Sequence, residues 1–358
     1  MVLTTAFRDK KLAEEILGKI REIAPSEPVK FCHVCGTHEW TITHAGLRSL
    51  LPETVSLIAG PGCPVCIVPA KEIDEAIWLA QNRVTVVTFG DMFRDPGTEM
   101  SLAEAKSLGA DVRVVYSVRD AAAMARREPE RQFVFFAIGF ETTTPMNAVE
   151  VPRAPDNLSF LVSHRLIPPA MDFLAEMDDL ELNGFIAPGH VSTIIGMRPY
   201  RRYPEEYGMP VVVAGFEPLD LLMGVYMILR QLDRGNPALE NAYTRAVSFE
   251  GNVKAQKIVG DVFDVVDGAW RGIGVIPSST LSLKEEFSGK DTRKIHDIDV
   301  GPGRDIHPGC SCHLVIIGKI SPRECPLFMK TCTPERPKGA CMVSSEGTCS
   351  IWARQEGL

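Results

Sequence analysis

No stretch of this 358-residue sequence stays apolar long enough to span a bilayer. Its first twenty residues, MVLTTAFRDKKLAEEILGKI, mix charge with Leu and Ile and lack the continuous apolar core of an export signal. These absences argue against a membrane protein and for a reducing cytoplasm. A long basic run is missing as well, and the net charge is −8, so nothing offers the footprint of a nucleic-acid partner. There is no phosphate-cradling P-loop signature to suggest a nucleotide.

What the chain has is cysteine, ten residues of it. In a reducing compartment that many thiols point to metal or redox chemistry rather than to structural disulfides. The remaining composition, 45% hydrophobic and 23% charged, is that of a globular protein, and the length exceeds what one core usually serves.

Apolar runs alternate with amphipathic ones. A helix over residues 8–23 carries Leu12, Ile16, Ile20 and Ile23 on one face. Then follow a strand to Val34, a helix from about Glu39 to Leu51, strand Val55–Ala59, helix Lys71–Gln81, strand Val84–Phe89, helix Ser101–Leu108 and strand Val112–Val115. The pattern resumes with strands Phe133–Ile138, Leu158–Ser163, Gly184–Pro188 and Pro210–Ala214, a helix over Asp220–Arg234 and another around Leu239–Ala246. This alternation predicts an α/β protein with parallel sheets. We expect an α/β domain over residues 1–125, a second over 126–240, and a C-terminal domain over 241–358 ending in a Cys-rich segment.

Thr37-His38 aligns with Gly189-His190, and Pro52-Glu53 with Pro204-Glu205 at the same offset. Ile58-Ala59-Gly60-Pro61 falls near Val213-Ala214-Gly215-Phe216, which suggests a diverged internal repeat. Two related units facing each other across a cleft would place strand ends where α/β sheets hold ligands.

Four cysteines lie at the ends of the first two strands. Cys63-Pro64-Val65-Cys66 has a spacing that lets two thiolates meet one metal, or one thiolate attack a disulfide. With Cys32 and Cys35 it could instead be half of a structural zinc site, but the preceding Gly60-Pro61-Gly62 suits close approach of backbone to a ligand, which structural zinc does not need. Cys35 sits where a strand hands over to a helix, so backbone N–H groups there should lower its pKa and make a reactive thiolate. His38 and Glu39 could relay protons or serve packing alone. Cys32 should face the other side of its strand and be buried. Glu141, Thr142 and Thr143 end one later strand, His190 another, and Glu217 follows a third with less force; the threonines could simply cap a helix.

The tail from Gly301 is rich in Pro, Gly and Cys and poor in periodic apolar residues, so a bound metal or cluster should supply part of its stability. Cys325, Cys332 and Cys349 with Cys310 or Cys312 would make four soft ligands for an iron–sulfur cluster or zinc. With Cys341, six cysteines for four places leave a spare pair, which suggests redox use.

Several motifs, in order along nearly the whole chain, resemble the hydrogenase maturation factor HypD family. They are Cys35-Gly36-Thr37-His38-Glu39, Gly60-Pro61-Gly62-Cys63-Pro64-Val65-Cys66, Gly139-Phe140-Glu141-Thr142-Thr143, Pro188-Gly189-His190-Val191-Ser192 and Gly215-Phe216-Glu217-Pro218-Leu219-Asp220. A sixth runs from Cys325-Pro326-Leu327-Phe328 through Cys332-Thr333-Pro334 to Gly339-Ala340-Cys341-Met342-Val343-Ser344-Ser345-Glu346-Gly347. The chain departs from the family pattern at Met329 and at Ser350-Ile351-Trp352, neither a ligand position. The resemblance implies a scaffold on which the iron of the [NiFe]-hydrogenase active site acquires cyanide and carbonyl ligands, working with the chaperone HypC and the cyanide donor HypE. It implies a [4Fe-4S] cluster in the C-terminal domain, for which we favour Cys310, Cys325, Cys332 and Cys349, with Cys312 and Cys341 as alternates. Cys35 would help hold the iron, Cys63 and Cys66 would be a redox-active pair beside it, and His38 and Glu39 its neighbours. Competing readings are an iron–sulfur thiol–disulfide oxidoreductase and a zinc-stabilised binding scaffold.

Overall fold

A computed structural model describes residues 9–356, so Arg8, where the first helix was expected to begin, lies outside the described residues. The helix observed is Lys10–Ile23, capped by the Asp9 carboxylate, with Ile16, Leu17 and Ile20 buried.

The described residues form eleven strands: β1 (Val29–His33), β2 (Val55–Ala59), β3 (Thr85–Thr88), β4 (Val112–Val114), β5 (Phe133–Gly139), β6 (Leu158–His164), β7 (Gly184–Pro188), β8 (Val211–Ala214), β9 (Leu239–Asn241), β10 (Phe263–Trp270) and β11 (Gly274–Leu283). Two all-parallel sheets result, one ordered β2-β1-β7-β8-β9 and the other β4-β3-β5-β6; β10 and β11 make an antiparallel hairpin. The expected parallel α/β class is what the chain adopts.

Strands do not sort into sheets by halves of the chain. The first sheet takes β1 and β2 from before residue 126 and β7–β9 from after it, while β3–β6 build the second. The repeat is visible as β1-helix-β2 and β7-helix-β8, with helices beginning at Gly36 and Gly189. The two copies are not on opposite sides of a cleft, however. β1 and β7 pair directly, Cys32 opposite Phe185, so the copies lie side by side in one sheet.

In each sheet strand order reverses between two central neighbours, β1/β7 and β3/β5, which leaves a crevice at their carboxyl ends. Alternation along the strands makes three apolar layers. Cys32, Val86, Val134, Phe136 and Phe185 face a central core between the sheets. Phe31, Ile186 and Val212 face the helices Lys10–Ile23 and Pro218–Asp233. Val87, Phe133 and Phe135 face the helix Val118–Arg127 and the hairpin.

The sequence misplaces two helices. The one expected over Glu39–Leu51 is two, Gly36–His44 and Leu47–Leu50, broken where Gly46 takes φ 61°. The one expected around Leu239–Ala246 is the edge strand β9 followed by a turn, because Leu239–Asn241 completes the ladder of β8. The tail also differs from expectation: its apolar residues, among them Val315, Ile316, Phe328 and Met342, join the central core.

Candidate functional site

Cys35 caps the helix Gly36–His44 just beyond β1, at the switch point of the first sheet. Three backbones meet there. Gly60 N donates to His33 O at 2.7 Å and Gly36 N to Gly62 O at 3.2 Å, which lays the Gly60-Pro61-Gly62 loop on β1's end. A Cβ on Gly62 would overlap the backbone of Cys35, and one on Gly36 would stand 2.5 Å from the Cβ of Glu346. Both positions need glycine for close approach. The Glu346 loop is held from the second sheet: Asp91, just after β3, accepts from Ser344 Oγ at 3.1 Å and from Ser345 N at 2.9 Å.

A pocket of about 380 Å3 opens over Cys35, bounded by Thr37, Pro64, Thr142, Thr143, His190 and Glu346. A smaller cavity behind it is lined by Cys35, Cys63, Cys341 and Glu346. The structure therefore brings together Cys35, Thr142, Thr143 and His190 from elements far apart in sequence.

The expected low pKa of Cys35 is not what the surroundings produce. Burial, the largest cause, pushes the thiol up to about 11; the backbone N–H groups of His38 and Thr37 pull it down, and the Glu346 carboxylate pushes it up. The thiolate would need a cation beside it. Cys63 and Cys66 are joined as a disulfide, so holding metal would first require two electrons and two protons. Cys32 is fully buried in the core, its thiol pushed up by that burial, and stands apart from the pocket.

His38 lies beneath the pocket rather than in it, 5.2 Å from the ring of Phe216 and with Nε2 3.3 Å from Ala214 O. Burial, reinforced by the neighbouring His33, lowers its pKa to about 3, so the ring is neutral. Phe216 stacks on His190 at 3.8 Å, linking the β1 and β7 ends through one aromatic ring. Glu39 is a structural hub instead of a free base. Its carboxylate accepts from His33 at 2.8 Å, Arg48 at 2.6 and 3.0 Å, Thr43 at 2.8 Å and Trp352 at 2.6 Å. Burial would raise its pKa, but Arg48 and His33 hold it well below the usual carboxylate range.

Glu141 is buried with one oxygen accepting from Ile167 N at 2.9 Å and the other without a partner. Burial raises its pKa to about 7. Thr143 turns its hydroxyl back to the carbonyls of Ile138 and Phe140, whereas Thr142 is exposed. Glu217 belongs to a capping box at the start of the helix Pro218–Asp233. Sequence reasoning gave no role to Glu346 or to Asp91, which carries its loop; the only signal was Glu346's place in a tail motif.

All six tail cysteines are buried. Cys310 interacts with Cys312 and Cys325, and both charge neighbours of Cys332 are again Cys310 and Cys325. Backbone amides point at sulfur: Ser311 N at Cys325, 3.4 Å, and Lys338 N at Cys332, 3.3 Å. A Cβ on Gly339 would lie 2.8 Å from Cys310 Sγ and 3.2 Å from Cys312 Sγ. Cys341 pairs with Cys349 and borders the cavity next to Cys63, but the pair also adjoins the others: Cys341 is a charge neighbour of Cys312, and Cys312 and Cys325 are charge neighbours of Cys349. The six thiols therefore form one neighbourhood, and the contacts do not single out four of them. Among the described residues no three His, Cys, Asp or Glu side chains stand at ready-made metal-holding geometry. No helix among the described residues is long and apolar enough to cross a membrane.

A family model for HypD, described as the hydrogenase formation hypA family, matches residues 11–356. The chain is 44% identical to the hydrogenase maturation factor HypD2 of Bradyrhizobium diazoefficiens and 43% identical to HypD of Cupriavidus necator, in each case over 96% of this chain and 94% of the relative. A Methanocaldococcus jannaschii protein with a hydrogenase expression/formation description is 46% identical over 97% of this chain and 98% of its own length.

Proposed function

The chain belongs to the HypD family of hydrogenase maturation factors, and on that premise we propose that it is the scaffold on which the iron of a [NiFe]-hydrogenase active site receives its cyanide and carbonyl ligands. The iron is cargo, delivered and handed on with the chaperone HypC and the cyanide donor HypE. One observation carries this reading: a half-buried cysteine, Cys35, opens into a pocket built from the strand ends of both sheets, with a second, oxidised cysteine pair next to it.

Cyanide and carbon monoxide are strong-field ligands that favour low-spin ferrous iron, so the site needs a thiolate donor, electrons and exclusion of oxygen. Cys35 supplies the donor; its proton, held by burial, leaves when the cation arrives. Cys63 and Cys66, oxidised here, would supply two electrons only after their disulfide has been reduced to the dithiol. The pocket walls at Thr37, Pro64 and Val191 limit water, and His190 and Thr142 at its mouth offer hydrogen bonds to cyanide nitrogen.

The tail suits a [4Fe-4S] cluster: six buried thiols lie as neighbours, and backbone amides are aimed at Cys325, Cys332 and Cys341, as a soft donor set requires. When bound, such a cluster supplies single electrons. Cys341 lines the cavity beside Cys63 and neighbours Cys349; as a dithiol the two would give two electrons and two protons to the Cys63–Cys66 disulfide and become a disulfide themselves, to be reduced again by the cluster one electron at a time with two protons from solvent.

The disulfide favours a second reading, an iron–sulfur thiol–disulfide oxidoreductase without cyanide chemistry. Metal analysis with visible and infrared spectra of anaerobically purified protein separates the readings. Iron, brown colour and cyanide stretches after co-purification with HypC support the scaffold; colour without those stretches supports the oxidoreductase; zinc without colour rejects both.

A further inference from the structure

The Cys63–Cys66 disulfide is sealed by the tail on two sides. Cys66 is 0% exposed, and its Sγ lies 3.7 Å from Ala340 O. Cys63, 6% exposed, borders the cavity behind Cys35, which at about 10 Å3 has room for about one water. No external thiol fits there. Glu346 lines both this cavity and the pocket of about 380 Å3 over Cys35, so the turn that carries it, residues 344–347, is a wall between the two.

Bonds inside the turn shape it without fixing its place: Gly347 N donates to Ser344 O at 3.0 Å and Glu346 N to Ser344 Oγ at 3.2 Å. Among the described residues, its hydrogen bonds to anything beyond the tail all end on one atom. Asp91 Oδ2 accepts from Ser344 Oγ at 3.1 Å, from Ser345 N at 2.9 Å and from Ser345 Oγ at 3.0 Å. Asp91 stands on the second sheet's side, in the short helix Gly90–Arg94 after β3. On the first sheet's side the turn rests by packing on Gly36, where a Cβ would stand 2.5 Å from that of Glu346. Each bond to the charged oxygen favours the closed turn by about tenfold.

We propose that residues 344–347 form a gate between the Cys35 pocket and the Cys63 cavity, and that Asp91 is the positioning residue that holds it shut. Closed, the gate leaves Cys63 with Cys35 and Cys341 as the other sulfurs of its cavity and keeps outside thiols away. Open, it joins the cavity to the pocket and exposes the disulfide to small reductants, at a rate set by the population of the open turn. The gate goes beyond the iron and cluster readings and needs neither, because its test reads thiols alone.

The test is reduction of the native disulfide by dithiothreitol in full-length parent, Asp91→Ala and Ser345→Ala proteins purified anaerobically. Dithiothreitol gives up two electrons and two protons as it closes to its cyclic disulfide; the Cys63–Cys66 bond breaks and takes them up as two thiols. Samples are quenched over time in urea with iodoacetamide, and mass spectrometry counts labelled Cys63 and Cys66. Labelling without urea follows Cys32, which the core hides. Asp91→Ala reduces the pair at least tenfold faster than the parent, Ser345→Ala falls between, and Cys32 stays unlabelled in both, as a general loosening would not allow. Reduction of Asp91→Ala at the parent's rate overturns the gate. If Asp91→Ala exposes Cys32, its core has loosened and Ser345→Ala decides alone: the parent's rate there overturns the gate, as does a faster rate that again comes with labelled Cys32. Where the pair is isolated as thiols, labelling of Cys63 without urea replaces the reduction and is read in the same order.

Discussion

Replacing Glu39 with Gln tests whether this carboxylate holds the site together or carries protons. Its two oxygens take five hydrogen bonds, three on Oε1 from Thr43, Arg48 and Trp352 and two on Oε2 from His33 and Arg48. An amide must turn its NH2 toward one set or the other. Toward Oε2's partners, His33 can change tautomer and accept, but Arg48 cannot, so at least one charge-assisted bond is lost, worth about 1.5–3 kcal/mol. The Arg48 charge is also left without its counter-ion. Breaking a fully buried pair costs about 3–5 kcal/mol; the Arg48 side chain is 27% exposed and can rehydrate, which places the expected loss near the lower end, at about 3 kcal/mol. Urea unfolding at neutral pH reads the shift in midpoint, and Trp352→Phe, which removes only the tie to the tail helix Thr348–Glu356, should cost about 1 kcal/mol. A Glu39→Gln protein as stable as the parent yet dead in hydrogenase maturation would refute the structural role and make Glu39 a proton carrier.

Glu141, raised from 4.5 to about 7 by burial, holds in the folded state a proton that the unfolded chain releases. Its contribution is full below about pH 4.5 and lost as pH rises to 7, a difference of about 3 kcal/mol at about 1.4 kcal/mol per unit. Glu141→Gln should therefore flatten part of the fall in urea midpoint between pH 5 and 8, a fall shared with Asp95, which burial also raises to about 7, and with Glu75, Asp172 and Glu346, raised by burial too; an unchanged pH profile contradicts this. Gly62→Ala should destabilise by about 1–3 kcal/mol through overpacking against Cys35 and slow Cys35 alkylation by less than it harms maturation; wild-type stability would show that the loop yields freely. Cys32, inert by burial, should escape iodoacetamide in the native protein under conditions that label Cys35, and Cys32→Ser should mature hydrogenase normally; mass spectrometry finding Cys32 labelled first would contradict its place in the core.

The parallel α/β class and most strands were legible because fully buried strands such as Phe133–Gly139 read as continuous apolar runs bounded by turn residues. Sheet membership was not. Nothing local in Val29–His33 or Gly184–Pro188 says that they pair, since register between distant strands is settled by the packing of both faces. The motif glycines read as a loop bringing backbone close to a ligand; what Gly62 closely approaches in the fold is the backbone of Cys35. The protonation of Cys35 was misjudged because local amides are visible in sequence, while the burial that outweighs them, and the Glu346 carboxylate from the tail, arrive only with the fold. Likewise Glu39 looked like a base beside a cysteine, and its partners Arg48 and Trp352 make it a hub. The tail thiols could be counted in sequence but not grouped, because loops rather than periodic elements bring Cys312 beside Cys310 and Cys349 beside Cys341.

On the scaffold reading, Cys35 holds the iron cargo while the tail holds the electron source. The most direct measurement is the infrared and visible spectrum of Cys35→Ala protein co-purified anaerobically with HypC, set against the parent. If Cys35 holds the iron, the parent shows cyanide and carbonyl stretches, the variant loses them, and both keep the brown absorbance. Stretches that survive without Cys35, or a variant that loses its colour because Cys35 is a cluster ligand, would contradict it.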